Sequence, residues 1–134
     1  MTKSLRTFGI AFLAWLFASA LVTRAADLSV YGDPAGSIVI PDGFSAPDVQ
    51  KVIVDAAMGR GWTIIAREDG KVVIGLDHER WSSKLTLIYT AHDVQILSRS
   101  TRNGKPKIPD NWLTYLKLDI NAKVNPQAVA PKKK

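Results

Sequence analysis

Residues 62–98, WTIIAREDGKVVIGLDHERWSSKLTLIYTAHDVQILS, decide the fold. Residues 62–67 read as a strand, and Asp69-Gly70 is a strong hairpin signal, because glycine accepts the left-handed backbone a tight turn needs. Residues 71–81 resume as a strand in which Val72, Ile74, Leu76 and His78 alternate with Val73, Gly75, Asp77, Glu79 and Trp81. The first set is apolar near its start, so it is expected to face the core. Ser82-Ser83 is read as the next turn. Leu85, Leu87 and Tyr89 then alternate with Thr86, Ile88 and Thr90, and His92-Asp93 turns the chain into residues 94–98. The expectation is an antiparallel four-stranded meander.

Helices flank this block on both sides. Ser45 followed three residues later by Asp48 has the pattern of a capping box, with Pro47 tolerated in the first turn. Val49, Val52, Ile53, Ala56 and Ala57 fall on one helical face, and Gly59 and Gly61 supply a stop. A second helix is expected from Pro109-Asp110, with Asp110 as N-cap. Trp112, Leu113, Leu116, Ile120 and Val124 form its apolar stripe, and Asn125-Pro126 ends it. Strands grouped between helices indicate an α+β domain over residues 45–124, with both helices on one apolar sheet face. Residues 26–44 read as irregular, although Ser37-Ile38-Val39-Ile40, bracketed by Pro34 and Pro41, suits an added edge strand. Residues 125–134 read as a disordered basic tail ending in Lys132, Lys133 and Lys134.

Residues 1–25 have the pattern of a signal peptide: Lys3 and Arg6, then FGIAFLAWLFASALV over residues 8–22, with small-residue cleavage sites at Ala18-Ser19-Ala20 and at Thr23-Arg24-Ala25 before Ala26, the second leaving the more sensible mature start. The apolar run is shorter than the roughly 20 residues that span a bilayer. Export to the periplasm or outside the cell is therefore expected, with no stable transmembrane helix after cleavage; the alternative is an uncleaved leader acting as an anchor. The 134-residue chain has no cysteine, which excludes disulfides, thiolate metal sites and cysteine nucleophiles. The formal charge of +6 is concentrated at the ends: residues 26–131 carry twelve basic and twelve acidic side chains. A nucleic-acid partner is not expected of a neutral domain.

The order of these features resembles a family of small bacterial exported proteins, many of them lipoproteins, with no established activity. The resemblance rests on the amphipathic helix running into Arg60-Gly61-Trp62, the strand GKVVIGL, the paired strands KLTLIYTAHDVQIL, and Ile108, Asn111-Trp112 and Leu116 toward the final helix. It covers residues 47–124 and implies fold and compartment, but no catalytic residues. The lipoprotein cysteine is missing, and the segment after the last strand, SRSTRNGKPK, is more basic than the family pattern.

No catalytic constellation is legible. His78-Glu79 lacks the second histidine of a zinc-protease helix, since Ser82 stands there, and strand alternation sends Asp77, His78 and Glu79 to opposite faces. His92-Asp93 reads as a turn, and no serine sits in a nucleophile elbow. Gly59, Gly61, Gly70 and Gly75 match no dinucleotide or phosphate loop, so no cofactor and no metal is expected. Trp62 and Trp112 suit core positions, whereas Trp81 at a strand end is expected to be partly exposed. One cluster stands out. Arg99, Arg102, Lys105 and Lys107 lie in a stretch with no acidic residue between Val94 and Pro109. They are read as an electropositive loop, either simply solvated or touching an envelope protein or an anionic envelope polymer or lipid. The expected function is a non-catalytic exported binding domain. The alternatives are a small exported enzyme without a recognisable motif and a subunit that docks on another protein through an open sheet edge or an uncovered sheet face.

Overall fold

The computed structural model describes residues 27–125. The chain divides into two compact units, Met1–Val30 and Tyr31–Lys134. The described part of the first is the start of a 3-10 turn, Asp27–Tyr31, that leads into the second. The expected leader lies outside the described residues, as does the tail beyond Asn125.

The second unit is α+β, with one antiparallel sheet of six strands and two helices. In chain order they are β1 (Asp33–Val39), α1 (Ala46–Gly59), β2 (Thr63–Glu68), β3 (Lys71–His78), β4 (Trp81–Tyr89), β5 (Asp93–Arg102), β6 (Lys105–Pro106) and α2 (Asp110–Val124). The sheet order is β1-β5-β4-β3-β2, with β6 on the far end of β5. β1 thus reaches back across the chain to pair with β5, from Asp33 opposite Ser98 to Val39 opposite Asp93. It starts earlier than the residues 37–40 expected. Pro34 is tolerated because an edge strand has one side without ladder bonds. Both edge strands carry a register irregularity, at Pro34/Gly36 in β1 and Ile64/Ala66 in β2. Such bulges hinder a second sheet from adding to either edge.

α1 starts as its sequence dictates. The Ser45 hydroxyl accepts from the Asp48 amide at 3.2 Å, and the Asp48 carboxylate accepts from the Ser45 amide at 2.9 Å. Those bonds hold the Asp48 carboxyl below its usual range. At the other end, Arg60 donates to both oxygens of Asp119 on α2, at 2.6 and 3.1 Å, which lowers the Asp119 pKa. Carboxyls depressed in this way stabilise the fold above the ordinary carboxyl pKa of about 3.9 and lose that contribution as pH falls through the folded-state value. α2 begins differently from expectation. Its N-cap is Pro109, which has no side-chain bond to offer, and Asp110 is the first helical residue.

One apolar cluster unites the elements. Val49, Ile53, Ala56 and Ala57 of α1 and Leu113, Leu116, Ile120 and Val124 of α2 meet Val72, Ile74, Leu85, Leu87, Tyr89, Val94 and Ile96 of the sheet. Trp62 is 4% exposed within it.

Two turns differ from the sequence reading, and both shape the site. Ser82 and Ser83 do not turn; they lie in β4, and the reversal is at Glu79-Arg80, between the paired residues His78 and Trp81. Glu79 takes the left-handed φ of 55°. Ser83 is needed on the core face, where its hydroxyl meets that of Ser100 at 2.7 Å. Nor is the stretch after Ser98 a polar loop. β5 continues to Arg102, Asn103-Gly104 reverses it, and β6 returns beside it with Arg102 opposite Lys105. Asn103 and Gly104 have φ of 55° and 79°, the two positive values that a two-residue type I′ hairpin requires.

Candidate functional site: a tryptophan-lined cleft beneath the basic hairpin

Strand alternation sorts the four cations. Along β5, Val94, Ile96, Ser98 and Ser100 are buried on the helix-facing side, and Arg102 continues that row past the end of the core. Arg99, three positions earlier, projects from the opposite face, where its cross-strand neighbour is Lys84. Lys105 sits directly across from Arg102, and so shares its face. Lys107 follows, pinned by its amide to the Ser100 carbonyl at 3.0 Å. The structure therefore groups Arg102, Lys105 and Lys107 and leaves Arg99 out. All three are exposed, and among the described residues none forms an ion pair.

Below these cations is a cleft of about 360 Å³, lined by Trp81, Arg102, Lys107, Ile108, Pro109, Asp110, Asn111 and Trp112. Trp81 opens β4 directly opposite Arg102, and the guanidinium lies 5.8 Å from the Trp81 ring centroid. Trp112, in the first turn of α2, meets Trp81 with centroids 5.6 Å apart and planes at 48°. Behind it, Trp62 packs edge-on to Trp112 at 5.9 Å and 84°. A row of three indoles thus leads from the core to the cleft, with Trp62 buried and Trp112 and Trp81 half-buried. Hence Trp112 serves both as core packing and as cleft wall.

Beside the cleft floor, Ser83, Ser100 and Ser98 form a buried hydroxyl ladder with both Oγ–Oγ distances 2.7 Å. Ser98 and Ser100 also line a smaller cavity of about 140 Å³ with Asp33, Pro106, Lys107 and Ile108. No buried side-chain nitrogen or oxygen among the described residues lacks a partner. The ladder is therefore satisfied polar packing at the sheet end.

The weaker candidates build no second site. His78 and Glu79 are exposed and 3.7 Å from each other in the β3–β4 turn, at the same sheet end as the cleft, with His78 opposite Trp81 but neither residue lining the cleft. Asp93 is engaged by Thr90, whose hydroxyl donates to it at 2.8 Å and accepts from the His92 and Asp93 amides. That is turn chemistry. No group of three metal-ligating side chains occurs among the described residues.

What the sequence reading missed is the meeting of Trp81, Asp110, Asn111 and Trp112 with the cations. The available signal was Asn103-Gly104: read as a hairpin, it folds residues 105–107 back along β5 and carries residues 108–112 to the end of β4. No helix among the described residues is long and apolar enough to cross a membrane. No family model, no curated protein and no solved structure matches this chain.

Proposed function

We propose that this chain is an exported, non-catalytic binding domain that contacts an anionic partner of the cell envelope through the β5–β6 hairpin. The observation that carries the reading is the grouping of Arg102, Lys105 and Lys107 at one sheet end, exposed and without ion-pair partners among the described residues. The signal-like pattern of residues 1–25 supports export. In a domain with balanced charge, the hairpin creates a local positive potential that reaches about one Debye length, roughly 8–10 Å. Only a partner in contact feels it. Each cation near an anionic surface contributes about 1 kcal/mol, so the three together account for about 3 kcal/mol, or about two decades of affinity.

The test is co-sedimentation of the processed chain with a crude bacterial envelope fraction at low and high salt. Mass spectrometry of that chain is expected to find its N-terminus near Ala26; an intact Met1 contradicts cleavage. Wild type should pellet at low salt and release at high salt. Changing Arg102, Lys105 and Lys107 together to Ser should abolish pelleting, whereas Arg99→Ser alone should leave most of it. Equal pelleting of the wild type and the triple variant refutes the hairpin reading.

A further inference from the structure

The cleft under the hairpin has a composition that the hairpin's charge does not explain. A cationic patch that only meets a charged surface needs no concavity, no half-buried indoles and no acidic neighbour. Here the cations Arg102 and Lys107 share a cleft with the Asp110 carboxylate, the Asn111 amide and the indoles of Trp81 and Trp112. A bare anion such as inorganic phosphate uses the two cations but gives Asp110, Asn111 and the two indoles no role.

Building on the anionic contact proposed above, we infer that this cleft is a subsite for an acidic saccharide, a polyhydroxylated ring bearing a carboxylate. Each part of the lining has a counterpart in such a ligand. The Arg102 guanidinium, held at the Trp81 ring and without a carboxylate partner among the described residues, offers its planar fork to the ligand carboxylate. Lys107 adds charge on the same anion. Asp110 accepts hydrogen bonds from ring hydroxyls, and Asn111 both donates and accepts. The exposed parts of the indoles supply an apolar platform for the ring's C–H face, amphipathic groups of the kind enriched where one side of a contact is wet. The volume of about 360 Å³ is at the small end of ligand sites and suits one or two sugar rings.

The probes are a galacturonate trimer, a hyaluronan tetramer and a muramic-acid disaccharide, each with its methyl ester, titrated against the chain while tryptophan fluorescence is followed. At least one acid should give a saturable change that its uncharged ester does not. Arg102→Lys keeps the charge but removes the fork, and should weaken that acid about tenfold or more, the loss of a charge-assisted hydrogen bond. Trp81→Ala should weaken it similarly without unfolding the chain, checked by circular dichroism; Arg99→Ser should leave it unchanged. Binding of none of the acids, equal binding of acid and ester, or indifference to Arg102→Lys overturns the saccharide subsite. A parallel arm uses phosphatidylglycerol vesicles. Pelleting with vesicles but binding no saccharide leaves the anionic contact standing while the subsite falls. Binding a saccharide but no vesicle supports the subsite and excludes lipid as the anion's source.

Discussion

Trp62→Ala is expected to destabilise the domain by about 3–5 kcal/mol, the range for deleting a buried large aromatic. Trp62 is 4% exposed, follows the turn that ends α1, and belongs to the cluster joining both helices to the sheet. Its amide also donates to the Ala57 carbonyl at 3.0 Å, so the ring is aimed inward by the end of α1. Alanine keeps that bond and loses the packing, leaving a void bordered by Trp112. Domains of this size hold about 5–15 kcal/mol in total, so the variant should unfold at much lower denaturant. Because Trp62 packs against Trp112 in a T-shaped pair, the variant should also loosen the cleft wall. A loss below about 0.5 kcal/mol, within the range of surface substitutions, contradicts the burial.

The second large effect concerns the serine ladder. Ser100 is the middle member, bonded to both Ser83 and Ser98. Ser100→Ala strips a partner from each and should cost about 2–3 kcal/mol, since a buried hydroxyl left unpaired carries its desolvation penalty. Replacing Ser83, Ser98 and Ser100 together by Ala removes the orphans along with the bonds. The triple variant should therefore be more stable than the single one, a sign of non-additivity that separates this account from simple loss of packing. Chemical unfolding of the two variants beside wild type gives the comparison. A triple variant less stable than Ser100→Ala contradicts it.

The sequence was legible wherever a periodic pattern coincided with strong turn or cap chemistry. Ser45 and Asp48 make the capping box their spacing implies, and Val72, Ile74, Leu85, Leu87 and Tyr89 face the core as their alternation requires. It misled where polar residues do structural work. Ser82 and Ser83 look like a turn because serine is usually solvated, but Ser83 is buried by pairing with Ser100, a contact 17 residues away. The basic stretch after Ser98 looks like a loop because it lacks an apolar face. Yet past Ser100, the last buried residue of β5, the strand carries no apolar requirement, and Asn103-Gly104 dictates the hairpin. The cleft depends on β4, β5 and α2 converging, which no local window records. For that reason the cations were visible as a cluster, their division between two sheet faces only as strand alternation, and their tryptophan neighbours not at all.

The most direct test of the central claim, that the hairpin and its cleft are the contact surface, is an amide and indole NMR map of the labelled chain titrated with solubilised anionic envelope polymer at low salt. The account predicts shifts confined to residues 101–112 and to the indole signals of Trp81 and Trp112, reversed by added salt. Shifts centred instead on the exposed Met58, Tyr115 and Leu118 of the helical side would contradict it.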